Sequence, residues 1–323
     1  MSTEFTTAPA IVLASPRGFC AGVSYAIEIV NLVLDRYGPP VYVRHEIVHN
    51  RHVVEQLRAK GACFVEDLAG VPAGSLLIFS AHGVSPAVRE QACSGGLRVI
   101  DATCPLVTKV HLQALKYARE GYEILLIGHR GHVEVEGTLG HAPERMYLVE
   151  TVADVASVPV RQHERVAVVT QTTLSVDDTR AIVEAIKQRF PAVCTPPKDD
   201  ICYATQNRQT AVKALARLTD LVLVLGSPTS SNANRLVEVA RQAGTSARLI
   251  EDAAGIEPWW LQGVRAVGLS AGASTPEPLV AATIARLQAL GCGAVRDLTT
   301  AQENVTFPLP RELRDHGANS PAG

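Results

Sequence analysis

Three cysteines stand where helices are predicted to begin, and a thiolate in that position can bind a metal. Cys104 follows a short β-type run, and Pro105 suits the first position of a helix, where proline has no hydrogen bond to lose. Cys20 and Cys202 also precede segments with apolar residues at helical spacing. The helix dipole and the unpaired N–H groups of a first turn favour the thiolate form. The three cysteines are therefore candidate ligands of one shared centre.

The same cysteines also have a structural interpretation, because a lone cysteine is most simply a small buried hydrophobic residue. The seven cysteines include no C-x-x-C pair, which is the usual strong sign of a zinc ribbon or a ferredoxin-type cluster. Spacing alone is thus weak evidence for a metal site. We keep the structural interpretation for the other four cysteines, which are Cys63, Cys93, Cys194 and Cys292.

The three cysteines recur at about the length of a small α/β unit. The helices predicted after them span residues 21–35, 106–117 and 203–218. We expect three α/β units arranged pseudo-symmetrically around a central site, at residues 20–104, 105–201 and 202–290. Segments 11–19 and 291–313 are expected to pack on these units, and residues 1–10 and 314–323 are expected to be disordered.

Apolar β-type runs alternate with helical patterns along the chain, which predicts an α/β fold with mainly parallel sheets. The clearest runs are Leu76 to Phe79, Ile124 to Ile127, Val166 to Val169, Leu221 to Leu225 and Ala266 to Leu269. A last strand-like piece spans Glu303 to Leu309. Ligands of such folds bind at the carboxyl ends of the strands.

Composition is that of a soluble globular protein. The 323 residues are 47% hydrophobic and 19% charged, with a formal net charge of −2. This balance gives no general attraction to nucleic acid or to an anionic membrane. The first residues lack a signal peptide, and no apolar run is long enough to span a bilayer, so we expect a cytoplasmic protein.

The loops after the predicted strands are rich in His, Ser, Thr and Asn and poor in Lys and Arg. They span residues 80–85, 128–137, 170–175, 226–234 and 270–275, and the segment at residues 41–50 is another predicted strand that ends in histidines. Such loops suit a phosphorylated ligand held by neutral donors and helix N-termini. The simpler alternative is helix capping, which would account for Thr172, Thr173, Ser230 and Asn232. No P-loop or dinucleotide-binding fingerprint is present, which argues against ATP or NAD as cofactor.

His132 and Glu134 lie close together in the loop at 128–137. An imidazole and a carboxylate that share a pocket can pass a proton to a leaving group. An exposed loop with ordinary charges explains the same two residues equally well.

Seven sequence motifs follow one another in order along the chain. They are Ser-Pro-Arg-Gly-Phe-Cys-Ala-Gly, Tyr-Val-Arg-His-Glu-Ile-Val-His-Asn, Phe-Ser-Ala-His-Gly-Val, Asp-Ala-Thr-Cys-Pro-Leu-Val, Thr-Gln-Thr-Thr-Leu-Ser, Asp-Asp-Ile-Cys-Tyr-Ala-Thr and Ser-Ser-Asn-Ala-Asn-Arg. These motifs closely resemble those of the 4-hydroxy-3-methylbut-2-enyl diphosphate reductase family, which carries out the last step of the methylerythritol phosphate route to isoprenoids. The resemblance runs from about Ile11 to Leu313, and blocks of this length are highly specific.

By this resemblance, Cys20, Cys104 and Cys202 bind a 4Fe-4S cluster and leave its fourth iron without a protein ligand. That iron would act as a Lewis acid on the allylic hydroxyl of the substrate while the cluster supplies electrons. Glu134 would deliver protons, Thr172 would position the departing hydroxyl or the released water, and His132 would also take part in catalysis. The residues implied in substrate binding are His49, His82, His132, Thr172, Ser230, Ser231, Asn232 and Ser274, all of which except Thr172 would hold the diphosphate.

The implied reaction consumes two electrons and two protons, releases water, and yields isopentenyl and dimethylallyl diphosphates. Reduced ferredoxin or flavodoxin is the implied electron donor. The chain departs from the family pattern at Val133, which replaces a usual proline, and at Pro228-Thr229 before Ser230.

Two other functions compete with this one. A zinc-dependent phosphoester hydrolase could be built on His82, His132 and Glu134, although the usual H-x-x-x-H or H-E-x-x-H spacing is missing. A non-enzymatic protein that binds a phosphorylated metabolite would need only the polar loops after the strands.

Overall fold

The structure is a computed structural model that describes residues 8–196 and 198–314. In these ranges strands and helices alternate, and the paired strands are all parallel. The α/β fold with parallel sheets predicted from the sequence is therefore confirmed.

The strands are β1 (Ala10–Ser15), β2 (Val41–Arg44), β3 (Ala62–Val65), β4 (Leu76–Phe79), β5 (Arg98–Asp101), β6 (Glu123–Ile127), β7 (Met146–Val149), β8 (Val166–Thr170), β9 (Leu221–Leu225), β10 (Ser246–Ile250), β11 (Ala266–Ala271) and β12 (Val295–Thr299). The α-helices are α1 (Ala21–Tyr37), α2 (Arg51–Ala59), α3 (Pro86–Ser94), α4 (Pro105–Arg119), α5 (Val133–Leu139), α6 (Val152–Ser157), α7 (Val176–Arg189), α8 (Tyr203–Ala216), α9 (Ser231–Gln242), α10 (Glu277–Ala289) and α11 (Arg311–Arg314). None of the described helices combines the length and the apolar character needed to cross a bilayer.

The described residues divide into two compact units. The first unit holds residues 8–20, 173–175 and 202–304, and the second holds 21–172, 176–196, 198–201 and 305–314.

The first unit is built on one five-stranded sheet, in the order β10-β9-β11-β1-β12. Successive residues of β9 point to opposite faces of this sheet. Leu223 packs in the core cluster that contains Val280 of α10, whereas Val224 packs in the cluster that contains Val212 of α8. Helices thus cover both faces of β9, which explains its continuous apolar run.

The second unit contains two sheets, in the orders β3-β2-β4-β5 and β7-β6-β8. Val110 and Ala114 of α4 pack in one core cluster with Leu126 and Val169 of the three-stranded sheet. The helix that begins after Cys104 is therefore seated on that sheet through its apolar face.

The five predicted apolar runs are confirmed as β4, β6, β8, β9 and β11. The predicted strand Glu303 to Leu309 is wrong, because residues 300–310 form no regular structure and the last strand is β12. The three sheets agree with three α/β units, while the unit boundaries and their pseudo-symmetric arrangement stay predictions. The predicted disordered ends mostly fall outside the described residues, although Ala10 begins β1 and Arg314 ends α11.

Candidate functional site

The three candidate cysteines lie at helix N-termini, as predicted. Cys20 immediately precedes α1, Cys104 is the N-cap residue of α4, and Cys202 is the N-cap residue of α8. The Sγ of Cys202 accepts a hydrogen bond from the backbone N–H of Thr205 at 3.4 Å. All three are half-buried thiols outside any disulfide. Cys20 and Cys202 belong to the first unit and Cys104 to the second.

A buried arginine ties the Cys20 turn to the helix that Cys202 begins. Arg208 of α8 is fully buried, and its Nη2 and Nε donate to the carbonyl oxygen of Gly18 at 2.7 and 3.1 Å. Nη2 also donates to the carbonyl oxygen of Phe19 at 3.3 Å, and Nη1 pairs with the Glu303 carboxylate at 3.0 Å. One set of hydrogen bonds thus joins the turn that carries Cys20 to the helix that begins after Cys202. Thiolate donors at helix N-termini fit an iron–sulfur cluster.

The other four cysteines divide by burial. Cys292 is buried in the core of the first unit, and burial raises the pKa of its thiol. Cys63 and Cys194 are half-buried, and the thiol of Cys194 lies 3.6 Å from the hydroxyl of Tyr117. Cys93 is exposed, so its predicted role as a buried hydrophobic residue is wrong.

Four histidines of the second unit form a cluster, which we call the histidine cage: His45, His49, His82 and His132. The ring centroids of His49 and His82 lie 4.2 Å apart. Those of His49 and His132 lie 5.5 Å apart, and those of His82 and His132 lie 6.1 Å apart. Burial, reinforced by the charges of neighbouring histidines, holds the pKa of His82 well below its usual value and lowers that of His132 to about 3. These two imidazoles are therefore neutral.

Hydrogen bonds orient the cage imidazoles. The Nδ1 of His132 accepts from the backbone N–H of Glu134 at 3.2 Å, so in the neutral ring the proton is on Nε2. The Nδ1 of His49 lies 3.2 Å from Glu46, and the Nδ1 of His82 lies 3.3 Å from the hydroxyl of Ser80. The Nε2–H of His132 can thus donate to an anion without carrying a net charge.

The second unit contains a buried carboxyl group, that of Glu134, which is hydrogen-bonded to Thr172. One carboxylate oxygen of Glu134 accepts from the backbone N–H of Thr172 at 2.6 Å, and the other accepts from its hydroxyl at 3.1 Å. Both residues are buried, and burial raises the pKa of Glu134 to about 7 against the lowering effect of these two hydrogen bonds. Glu134 therefore exchanges its proton near neutral pH.

The departure at Val133 leaves this arrangement in place. Val133 is the first residue of α5, and His132 is its N-cap. A proline is tolerated at that first position because its missing N–H has no partner in the helix anyway. Valine continues the same helix start, and the contacts from Glu134 to Thr172 are formed.

The first unit contributes hydroxyl and amide groups at the N-terminus of α9. Ser230 caps this helix by accepting from the backbone N–H of Ala233 at 3.3 Å, as the capping alternative expects. The hydroxyl of Thr173 donates to that of Ser231 at 3.1 Å. Asn232 is buried, yet neither its amide nitrogen nor its amide oxygen has a hydrogen-bond partner among the described residues. Buried polar groups are nearly always paired, so the amide of Asn232 remains a candidate contact for a ligand.

Two further predicted positions lie in this unit. Ser274 is buried in the loop after β11. The Pro228-Thr229 departure is held in a compact turn, in which the Thr229 and Ser227 hydroxyls lie 2.9 Å apart and Asn234 donates to the Pro228 carbonyl oxygen at 2.7 Å. The start of α9 is therefore well formed with these residues.

The zinc alternative is not favoured by the geometry of the described residues. The trio that it needs, His82, His132 and Glu134, is not among the groups that bring three ligand atoms within 4.8 Å, whereas His45, Glu46 and His49 do so. The carboxylate oxygens of Glu134 are instead occupied by Thr172.

Two residues next to the predicted site were missed by the sequence interpretation. His45 belongs to the cage but was only part of a segment ending in histidines. Arg208 was not singled out at all. The Arg-His-Glu run after a predicted strand is a local signal for His45, whereas the partners of Arg208 lie about 190 and 95 residues away and leave no local pattern.

Comparison with known proteins gives consistent matches over nearly the whole chain. Residues 11–288 match the family model described as LytB protein. The chain is 59% identical over 305 residues to the 4-hydroxy-3-methylbut-2-enyl diphosphate reductase of Azoarcus sp., covering 94% of this chain and 98% of that relative. It is 58% identical over 314 residues to the protein of the same name from Bordetella pertussis, covering 97% of each. A solved structure of the E-1-hydroxy-2-methyl-but-2-enyl-4-diphosphate reductase from Plasmodium falciparum matches with a TM-score of 0.92 and 42% identity, covering 95% of this chain and 97% of that one.

Proposed function

The chain belongs to the LytB family of 4-hydroxy-3-methylbut-2-enyl diphosphate reductases, and on that premise we propose how its residues divide the work of this reaction. The enzyme reductively removes the allylic hydroxyl of (E)-4-hydroxy-3-methylbut-2-enyl diphosphate, the last step of the methylerythritol phosphate pathway. Two electrons and two protons enter, one water leaves, and isopentenyl and dimethylallyl diphosphates are formed. A small redox protein, reduced ferredoxin or flavodoxin, supplies the electrons.

Cys20, Cys104 and Cys202 hold a 4Fe-4S cluster. Their half-buried thiols at helix N-termini support this assignment, since that environment favours the thiolate that iron requires. When bound, such a cluster supplies the electrons and a Lewis-acidic iron that weakens the C–O bond.

The diphosphate is held by neutral donors. His49, His82 and His132 provide imidazoles, and the other donors are Ser230, Ser231, Asn232 and Ser274. The unpartnered buried amide of Asn232 supports this assignment most directly. Helix N-termini and neutral N–H and O–H groups bind phosphate without strongly basic side chains.

Glu134 delivers the protons, and its environment is the observation that carries the proposal. A buried carboxyl with neutral partners keeps a proton near neutral pH and can transfer it to the departing hydroxyl. The hydroxyl of Thr172 lies 3.1 Å from Glu134, so it can orient the departing group relative to the acid. His132 fixes the start of α5 and thereby the position of Glu134.

The decisive test is Cys104→Ser, with the exposed Cys93→Ser as the matched control. We expect anaerobically purified Cys104→Ser to lose most of its iron and acid-labile sulfide and to lose turnover with reduced flavodoxin, while its circular dichroism stays that of a folded α/β protein. Cys93→Ser should keep all three properties. Normal iron content and normal turnover in Cys104→Ser would contradict the assignment.

A further inference from the structure

Lys109 of α4 contacts three consecutive residues of a segment that is far away in sequence. Its Nζ donates to the carbonyl oxygen of Asp199 at 3.0 Å and to that of Lys198 at 3.2 Å. The same Nζ forms an ion pair with Oδ1 of Asp200 at 3.2 Å. One ammonium group thus holds residues 198–200 against the side of α4.

Each end of this contact lies close in sequence to a proposed cluster ligand. Lys109 is in the second turn of the helix that begins after Cys104. Asp200 stands two residues before Cys202, which is the N-cap residue of α8. Residues 198–202 form neither helix nor strand, so contacts with neighbouring elements have to fix their backbone. Lys109 provides three such contacts.

The carboxylate of Asp200 extends this contact to the three-stranded sheet. The side chain of Asp200 is 0% exposed, and its Oδ2 accepts from the backbone N–H of Thr170, the last residue of β8, at 3.2 Å. Removing one partner of a buried ion pair leaves an uncompensated charge, which is strongly destabilising. Loss of the Lys109 ammonium would therefore disturb the buried carboxylate as well as the two backbone contacts of the segment that leads into Cys202.

We propose that Lys109 is a positioning residue for the iron–sulfur cluster, which holds the segment that leads into Cys202 against the helix that begins after Cys104. This inference rests on the proposed function, in which these two cysteines bind the same cluster. Groups that orient the ligands of a metal site contribute to metal affinity without touching the metal. Lys109 acts in this way through residues 198–200, whose backbone it fixes before the cluster is bound.

The test compares Lys109→Met with Lys116→Met, a more exposed lysine of the same helix whose partner Glu120 lies 4.0 Å away. Both variants are purified without oxygen and reconstituted with iron and sulfide. We expect an iron chelator to remove iron from folded Lys109→Met about tenfold faster than from the parent protein, the lower end of the usual effect of such orienting groups. Lys116→Met should lose iron at the parent rate.

A third variant separates positioning from general stability. Leu57→Ala removes a buried leucine of α2 in the same unit, and a cavity of this kind should lower the urea midpoint at least as much as Lys109→Met does. It leaves Lys109 and residues 198–200 in place. We therefore expect Leu57→Ala to be less stable than the parent protein and yet to lose iron at the parent rate.

A second comparison decides the case in which Lys109→Met does not fold. Asp200→Asn neutralises the buried carboxylate, so the double variant Lys109→Met/Asp200→Asn contains no unpaired charge at this position. The double variant differs from Asp200→Asn only in the contacts of Lys109, which include those with the carbonyl oxygens of residues 198 and 199. We expect the double variant to lose iron faster than Asp200→Asn alone.

Two results would overturn the inference. One is iron loss at the parent rate in folded Lys109→Met or, if that variant does not fold, equal rates in the double variant and Asp200→Asn. The other is iron loss from Leu57→Ala as fast as from Lys109→Met, which would reduce the effect to stability. Failure of the proposed function is distinguishable, because parent protein that takes up iron and sulfide but reduces no allylic diphosphate would refute the reductase and leave this inference standing.

Discussion

Two buried ionisable residues, Arg208 in the first unit and Glu134 in the second, show how the partners of a buried group decide whether it keeps its charge. Arg208 is 0% exposed and Glu134 is 3% exposed, so removing the charged form of either side chain from water costs free energy. Arg208 meets an opposite charge on Glu303, and its remaining donors are taken up by backbone carbonyl oxygens. The carboxylate of Glu134 accepts from the N–H and the hydroxyl of Thr172, and the charge of nearby Asp200 adds to the effect of burial in raising its pKa.

Arg208 and Glu134 are similarly buried, so they differ in the groups that contact them rather than in the extent of burial. An opposite charge and saturated hydrogen bonds fix Arg208 in its charged form, and the residue braces the turn before Cys20. Neutral partners leave the carboxylate of Glu134 only partly compensated, which moves its pKa into the range where it can donate and accept a proton.

Among the predicted changes, removal of the Arg208 guanidinium should have the largest effect, and it should act on stability. Arg208→Met leaves Glu303 without its partner and the Gly18 and Phe19 carbonyl oxygens unpaired, so we expect the free energy of unfolding to fall by about 3–5 kcal/mol. Urea denaturation followed by circular dichroism measures this loss, with the exposed Arg217→Met as control. A loss no larger than that of the control would show that the contacts of Arg208 with Glu303, Gly18 and Phe19 are not needed for stability.

Removing the acidic proton of Glu134 should act on the rate. We expect Glu134→Gln to lower kcat by about 10²–10⁴-fold, the usual contribution of a general acid, with KM nearly unchanged because the diphosphate contacts remain. Steady-state kinetics with the allylic diphosphate test this, and Glu136→Gln on the exposed side of α5 is the matched control. Turnover of Glu134→Gln at the parent rate would remove Glu134 from the mechanism.

The raised pKa of Glu134 also predicts a pH dependence of stability. Because the pKa of Glu134 in the folded protein, about 7, exceeds the ordinary glutamate value of 4.5, the protonated carboxyl favours the folded state below pH 4.5, and this contribution is lost as pH rises through 7. Relative to Glu134→Gln, the parent protein should therefore lose on the order of 3 kcal/mol across this window. Unfolding curves of both proteins from pH 4.5 to 8 give the difference, and parallel curves would contradict the raised pKa.

The smallest predicted effect concerns the hydroxyl of Thr172. This group stabilises the ionised form of Glu134, so Thr172→Val should shift the fall of kcat with rising pH upward by about one pH unit, equivalent to about 1.4 kcal/mol. Thr172→Ser keeps the hydroxyl and should keep the parent midpoint. Equal midpoints in the two variants would mean that the backbone N–H of Thr172 alone sets the pKa.

The extent to which the fold could be predicted follows the burial of its strands. β4 and β9 are buried at every residue, so their apolar runs mark them clearly. β12 reads Val-Arg-Asp-Leu-Thr and is mostly exposed, and its place in the sheet depends on pairing with β1 across the whole length of the chain. A local pattern carries no information about such a partner, which is why the last strand was predicted at residues 303–309 instead.

The candidate site divides in the same way. The helix starts at Cys104 and Cys202 could be predicted from neighbouring residues, because Pro105 and the apolar periodicity after each cysteine are local signals. The bond from Thr172 to Glu134 and the ring contacts of His45 join residues from different strand ends. Only tertiary structure brings these groups together, so their protonation and orientation had no sequence signature.

The interior position of β1 in its sheet sets the order in which that sheet can be completed. β1 pairs with β11 on one side and with β12 on the other. The first strand to be synthesised therefore cannot pair until β11 and β12, the last two strands, have been synthesised. At roughly 5–20 residues per second, translation separates Ser15 from Thr299 by on the order of 15 to 60 s. During that interval the Cys20 thiol, which follows β1, has no finished sheet to hold it. The sheet next to Cys20 is thus completed only after β12 has been synthesised, and a chain that stops before β11 lacks both strands that pair with β1.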